Sequence, residues 1–263
     1  MERPKRTFVC EECGEDFRAS NNREILHCGK CADQLRSEGH GPRQLKRRAE
    51  ASTSPVIQSV TAHPFDWSMA EEDLLYYLER FSKTVQRYDA ATPEEVNTIT
   101  DSDRRLANLV AARMGERIWR PLVGHSIEDI GPWDLLPMSD SDWECRKEVI
   151  RSVVAKLVDH PGIGIARLTK GLHRKRPNLI PVCDSVVRKA LDVDGGGKAD
   201  RIVLCLDRLR AEGQANLGRL DGLRNLAKSR GAELTQLRIL ELLYWVQYGP
   251  FPREEWKQSG SKS

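Results

Sequence analysis

From about Phe65 onward the apolar residues return at helical spacing, and nowhere do they alternate with polar ones long enough to suggest a strand. This is the tightest constraint on the fold, because a 3.6-residue repeat puts a stripe on one side of a helix and scatters over both faces of a strand. "MAEEDLLYYLERFSKTVQRY" sets Leu74, Leu78 and Phe81 on one stripe, with acids at its start. "TPEEVNTI" opens with Thr and Pro, an entry signal for a helix. "DSDRRLANLVAARM" turns Leu106, Leu109 and Val110 inward, and "SDSDWECRKEVIRSVVAKLVDH" does the same with Val149, Val153, Val154 and Leu157. "KADRIVLCLDRLRAEG", "ANLGRLDGLRNLAKSRG" and "AELTQLRILELLYWVQYG" continue the theme, with glycines as punctuation. The expected fold class is all-α: a helical body over residues 65–250, followed by a flexible tail over 251–263.

The first residues obey a different rule. Cys10, Cys13, Cys28 and Cys31 form C-x2-C-x14-C-x2-C. Each pair can aim two thiolates at one ion, and the spacer is long enough to bring the second pair opposite the first. Four thiolates in a tetrahedron suit zinc, and so small a module needs the metal to fold. The expectation is a structural zinc ribbon over residues 1–36, with a filled coordination sphere and therefore no zinc chemistry. A disulfide framework or an iron–sulfur site are the alternatives, and His27 could replace Cys28 as a ligand. Residues 37–64 read as a polar linker containing the basic run Lys46–Arg48.

Lys and Arg number 42 against 39 Asp and Glu, a net charge of +3, so overall charge says little about nucleic acid. Its distribution has to carry that question. No apolar run approaches membrane-spanning length, and the N-terminus lacks the apolar core of a signal peptide. The expectation is a cytoplasmic protein with reduced thiols and no membrane partner; nothing in the sequence predicts an oligomer.

"PGIGIARLTKGLHRKRPNLIPVCDSVV" is the stretch with the most chemistry. Gly162 and Gly164 make a turn between two helices, where backbone amides at a helix N-terminus can meet a phosphate. On the helix that follows, Ile165, Leu168 and Leu172 share one face, and Arg167, Lys170 and Arg174 another. Between Gly162 and Cys183 there are five basic residues (Arg167, Lys170, Arg174, Lys175 and Arg176) and no acid, the footprint expected for a DNA backbone. A solvated basic face on a helical hairpin is the plainer reading. Pro181 stops the chain from continuing as a helix, and Asp184 stands where the next one starts, a good N-cap position. Val186, Val187, Ala190 and Leu191 mark that helix's buried face.

The order "PGIG", an amphipathic helix, then "IPVCDSVVRKAL" resembles the helix-hairpin-helix DNA glycosylase superfamily. "HRKRPNLIPVCDSVV" also resembles an uncharacterised actinobacterial family with a KRP-x-LIPV-x-DS-V-V motif. The resemblance is firm over about residues 149–193 and leaves the cysteine module outside. It implies that the hairpin grips DNA and that Asp184, 20 residues after Gly164, is the catalytic carboxylate, with Arg188 on the family's Arg position. Cys183 is inserted between "PV" and the Asp. Bifunctional members carry a Schiff-base lysine two residues after the second hairpin glycine; Ala166 stands there. Lys170, one turn further along, then reads as a phosphate contact. The family's C-terminal iron–sulfur cysteines are missing. The implied activity is a monofunctional DNA glycosylase that flips out and excises a damaged or modified base, leaving an abasic site, with defence against modified bacteriophage DNA as one setting.

Breaking an N-glycosidic bond builds positive charge on the deoxyribose, which one carboxylate can stabilise while it activates water. Aromatic residues receive a flipped base. Trp67, Tyr88, Trp119 and Trp133 precede the hairpin and are the candidates, although packing in the core explains each as well. Cys183 reads as a buried small residue and not a nucleophile, and Cys145 and Cys205 look structural. The competing functional reading is a non-catalytic DNA-binding protein that uses ribbon and hairpin together; a third is a helical body that binds another protein.

Overall fold

The computed structural model describes residues 6–9, 16–19, 65–193 and 195–249, and the chain divides into two compact units, Met1–Gln58 and Ser59–Ser263. In the first unit β1 (Arg6–Val9) pairs antiparallel with β2 (Asp16–Ala19), Phe8 opposite Phe17. Cys10 and Cys13 fall in the connection between the strands. All four cysteines of the expected ribbon, and the linker and tail, lie outside the described residues.

The regular elements in the described part of the second unit are helices, joined by irregular segments. Its main elements are α1 (Ala70–Arg80), α2 (Asp101–Leu109), α3 (Asp140–Val158), α4 (Ile165–His173), α5 (Ser185–Ala190), α6 (Lys198–Ala215), α7 (Leu217–Ser229) and α8 (Gln236–Tyr248). Side-chain caps explain several starts: Thr100 and Asp103 form a reciprocal capping box on α2, Ser139 caps α3 and Thr235 caps α8. No helix among the described residues is long and apolar enough to cross a membrane.

α8 is the central element, packed against α1, α5, α6 and α7. Nine of its thirteen residues are buried, which is why "LRILELLYWV" is apolar on nearly all sides. α3 lies along α6, while α4 packs between α2 and α6. The stripes on α1 and α3 face inward at Leu74, Val153, Val154 and Leu157, joined by Ile150.

Three local expectations are corrected. "TPEEVNTI" is not a helix: the chain from 91 to 100 is irregular, with one isolated bridge between Thr98 and Ser126. Its carbonyls are taken by side chains, Ala91 by Arg174, Glu95 by Lys175 and Val96 by Arg176, which satisfies the backbone without a helix. Leu109 and Val149 turn outward, at 41% and 36% exposure; on α2 the buried positions are Asp103 and Ala107. Cys145 is exposed, whereas Cys183 and Cys205 are buried as expected.

Candidate functional site

Gly162 has φ +82°, the left-handed turn conformation that glycine adopts without strain, and Gly164 is the N-cap of α4 with no side chain to occupy the first amides. The hairpin is held from both sides. Lys198 Nζ donates to the Val158 carbonyl at 3.0 Å, and Arg167 donates to the carbonyls of Gly162 and Ala112.

Downstream, the segment Ile180–Cys183 belongs to no helix or strand, and several of its backbone groups take partners from elsewhere. Four side chains supply them. His173 Nδ1 lies 2.7 Å from the Ile180 carbonyl, and Glu241 Oε2 accepts from the Val182 amide. Thr169 Oγ1 accepts from the Cys183 amide at 3.1 Å, while Arg188 donates to the Cys183 carbonyl at 3.1 Å. These bonds fix the strap that delivers Asp184 to the start of α5. The Cys183 thiol is pushed well up by its contact with the Cys205 thiol and by burial, which removes it as a nucleophile.

Asp184 caps α5 as the sequence suggests. Both amides, Val186 at 2.9 Å and Val187 at 3.1 Å, bond the same oxygen, Oδ1. Oδ2 accepts no hydrogen bond among the described residues, and Asp184 lines a cavity of ≈ 380 Å³. The carboxylate is therefore divided: one oxygen holds the helix, and the other has no hydrogen-bond donor among the described residues.

One wall of that cavity is aromatic. Tyr77 and Phe81 stack at 5.4 Å, and Trp245 meets Phe81 edge-on at 5.2 Å. Leu109, Val110 and Ala111 form another part of the lining, which explains why the end of α2 does not turn into the core. The charged part of the lining is Lys170, Arg238 and Glu241 beside Asp184, with Thr84, Val182, Val187 and Leu242 completing it. Arg238 is fully engaged in the interior, Nε on Asp89 at 2.8 Å, one terminal nitrogen on Glu241 and the other on the Tyr77 hydroxyl at 3.2 Å. Two carboxylates share this one guanidinium, and burial pushes Glu241 up to about 7 against the attraction of Arg238.

The structure separates the basic residues into different tasks. Lys175 and Arg176 are buried: Lys175 pairs with Asp103 at 3.0 Å, and Arg176 donates to the carbonyls of Ile130, Val96 and Ile127 and to Asn97. Neither presents its charge to a DNA backbone, which corrects the expectation for these two. A loop rich in unpaired carbonyls draws the cations inward. Arg174 is half-buried and donates to Ala91. Arg188 is tied to the strap and Arg167 to the hairpin. Lys170 alone of the block lines the cavity.

None of Trp67, Tyr88, Trp119 and Trp133 lines the cavity. Tyr88 is fully buried and donates to the Lys170 carbonyl at 2.8 Å, supporting α4 from behind. Trp119 is buried under Gly171 and donates to Thr100. Trp67 donates to Glu212, and Trp133 lies under Arg146. The aromatic lining comes from Tyr77, Phe81 and Trp245; the sequence pattern singles out Phe81 alone of these, and as a stripe residue, not as part of a pocket. One signal points to this place: Arg238 and Glu241, three residues apart, interrupt the most apolar of the described helices.

Residues 120–248, just under half of the chain, match the model of a family of unknown function, DUF6308. The matched segment contains the hairpin, Lys170, Asp184, Arg238, Glu241 and Trp245, while Tyr77 and Phe81 precede it. No curated protein and no solved structure matches the chain.

Proposed function

We propose that the helical unit is a monofunctional DNA glycosylase, with Asp184 stabilising the oxocarbenium-like sugar and activating water. The observation that carries this reading is the divided carboxylate of a residue that lines a cavity with an aromatic wall, Oδ1 on two helix amides and Oδ2 without a hydrogen bond among the described residues. A cap alone would need no cavity. Stacking on such rings is worth about 1–3 kcal/mol per base, enough to offset much of the cost of flipping. The uncapped amides at Gly164 offer a place for a phosphate beside the target nucleotide. A lysine at the Schiff-base position is lacking, since Ala166 stands there. In this reading the N-terminal cysteines bind a structural zinc.

Asp184→Asn tests it. Asn still accepts from the amides of Val186 and Val187, so the melting temperature and DNA affinity should stay close to wild type. Base release from DNA carrying modified bases, scored as abasic sites, should fall by at least about a hundredfold. Release at the wild-type rate by the Asn variant would remove Asp184 from the chemistry. A wild-type protein that binds DNA but releases no base from any modified DNA would favour the non-catalytic DNA-binding reading.

A further inference from the structure

Loss of a base from deoxyribose has two ends. The sugar carbon gains positive charge, and the electron pair of the broken C1′–N bond goes to the base. A carboxylate serves the first end only. An uncharged base leaves as an anion unless something protonates it, whereas a base already alkylated on its ring nitrogen is cationic and leaves without help.

Among the described residues, the cavity holds one cation whose head group is unused. Arg238 has all three nitrogens bonded, to Asp89, Glu241 and the Tyr77 hydroxyl. Lys170 lines the same cavity as Asp184, yet among the described residues its Nζ makes neither a hydrogen bond nor an ion pair. Its backbone is held in place, with the Tyr88 hydroxyl donating to its carbonyl at 2.8 Å. Lys170 and Asp184, whose Nζ and Oδ2 have no bonded partner among the described residues, thus line one cavity.

We propose that Lys170 is the acid that protonates the departing base, and that the site consequently selects uncharged bases over cationic ones. The inference rests on the glycosylase reading and deepens it. The C1′–N bond breaks as Lys170 passes a proton to the base, and water forms the new C1′–O bond, giving its proton to Asp184. Exchange with solvent reprotonates Lys170 and deprotonates Asp184, so the net reaction is the addition of one water. Partial burial lowers the proton affinity of Lys170, and Arg238 adds to this, while the charges of Asp184 and Glu241 oppose it. The first effect is the largest, so the ammonium is a stronger acid than an exposed lysine. The same ammonium repels a cationic ring.

The test compares wild type, Lys170→Met and Lys170→Arg on oligonucleotides with a single uracil, hypoxanthine or 7-methylguanine, in single turnover. Wild type should prefer the uncharged bases, with release falling at high pH as Lys170 loses its proton. Lys170→Met should lose that limb and shift the ratio of rates about a hundredfold toward 7-methylguanine. Lys170→Arg keeps the charge but gives up its proton far less readily, so it should be as slow as Met on the uncharged bases. Equal loss on both classes, or rescue by Arg, would overturn the acid role. A borohydride-trapped DNA adduct at Lys170 would overturn it too, by making the residue a nucleophile. Release confined to 7-methylguanine and lost in Asp184→Asn would leave the glycosylase reading standing and remove the one made here. No release from any of the three by wild type would count against both.

Discussion

Asp184 shows how one side chain can cap a helix and line a cavity at the same time. A carboxylate has two oxygens, and helix capping here uses only Oδ1. The second residue of consequence is Glu241, whose carboxylate holds the strap at Val182 and shares Arg238 with Asp89. Its folded carboxyl sits at about 7, above the 4.5 of an unperturbed one. A raised carboxyl stabilises the fold fully only below the unfolded value, and that contribution is lost as the pH rises through the folded one. A gap of that size between the folded and unfolded carboxyl corresponds to about 3 kcal/mol. The stability lead of wild type over Glu241→Gln should therefore shrink as the pH climbs from about 4.5 to about 7, measured by urea melts across that range. A lead that grows instead would mean that Arg238 keeps Glu241 ionised throughout.

At the scale of elements, α4 is the part on which the site depends. One face is apolar through Ile165, Leu168 and Leu172, one edge presents Lys170 to the cavity, and its C-terminal end feeds Arg174, Lys175 and Arg176 into the irregular segment at 91–97. Close packing is set by Gly171, where a Cβ would collide with the Trp119 ring. Helix propensity would favour Gly171→Ala by about 1 kcal/mol, but forcing a methyl against a fully buried indole costs about 1–3 kcal/mol. Trp119 is 0% exposed and pinned by its bond to Thr100, so it has little room to yield. The clash should win. We expect Gly171→Ala to lower the melting temperature; a variant more stable than wild type would show that the α4–Trp119 contact can relax. The hairpin and both helix starts around it were legible in the sequence, because Pro161, Gly162, Gly164 and Pro181 act locally. The failed helix at "TPEEVNTI" was not legible, since its carbonyls are taken by Arg and Lys residues about 80 positions away.

For the whole molecule, the two units raise a separable expectation. Cys10→Ser or Cys28→Ser should release one zinc per chain, read by metal analysis of the purified protein, and leave the melting transition of the helical unit unchanged. A variant that keeps its zinc would exclude the four-cysteine site, and one that lowers the helical transition would show that the two units are energetically coupled.

The sequence by itself determined the helical class of the body, the turn at Gly162 and Gly164, and the place of Asp184 at the start of a helix. These are set by backbone geometry within a few residues. The tertiary structure decided which charges are available. It drew Lys175 and Arg176 into the interior to satisfy a loop, left Lys170 at the cavity without a partner among the described residues, and built the aromatic wall from α1, Phe81 and α8 rather than from Trp67, Tyr88, Trp119 or Trp133. A helix stripe tells which face is buried, but the partner of a buried charge and the shape of a cavity depend on elements far apart in the chain. Asp184 could be found by reading along the sequence; the cavity it faces could be found only by folding it.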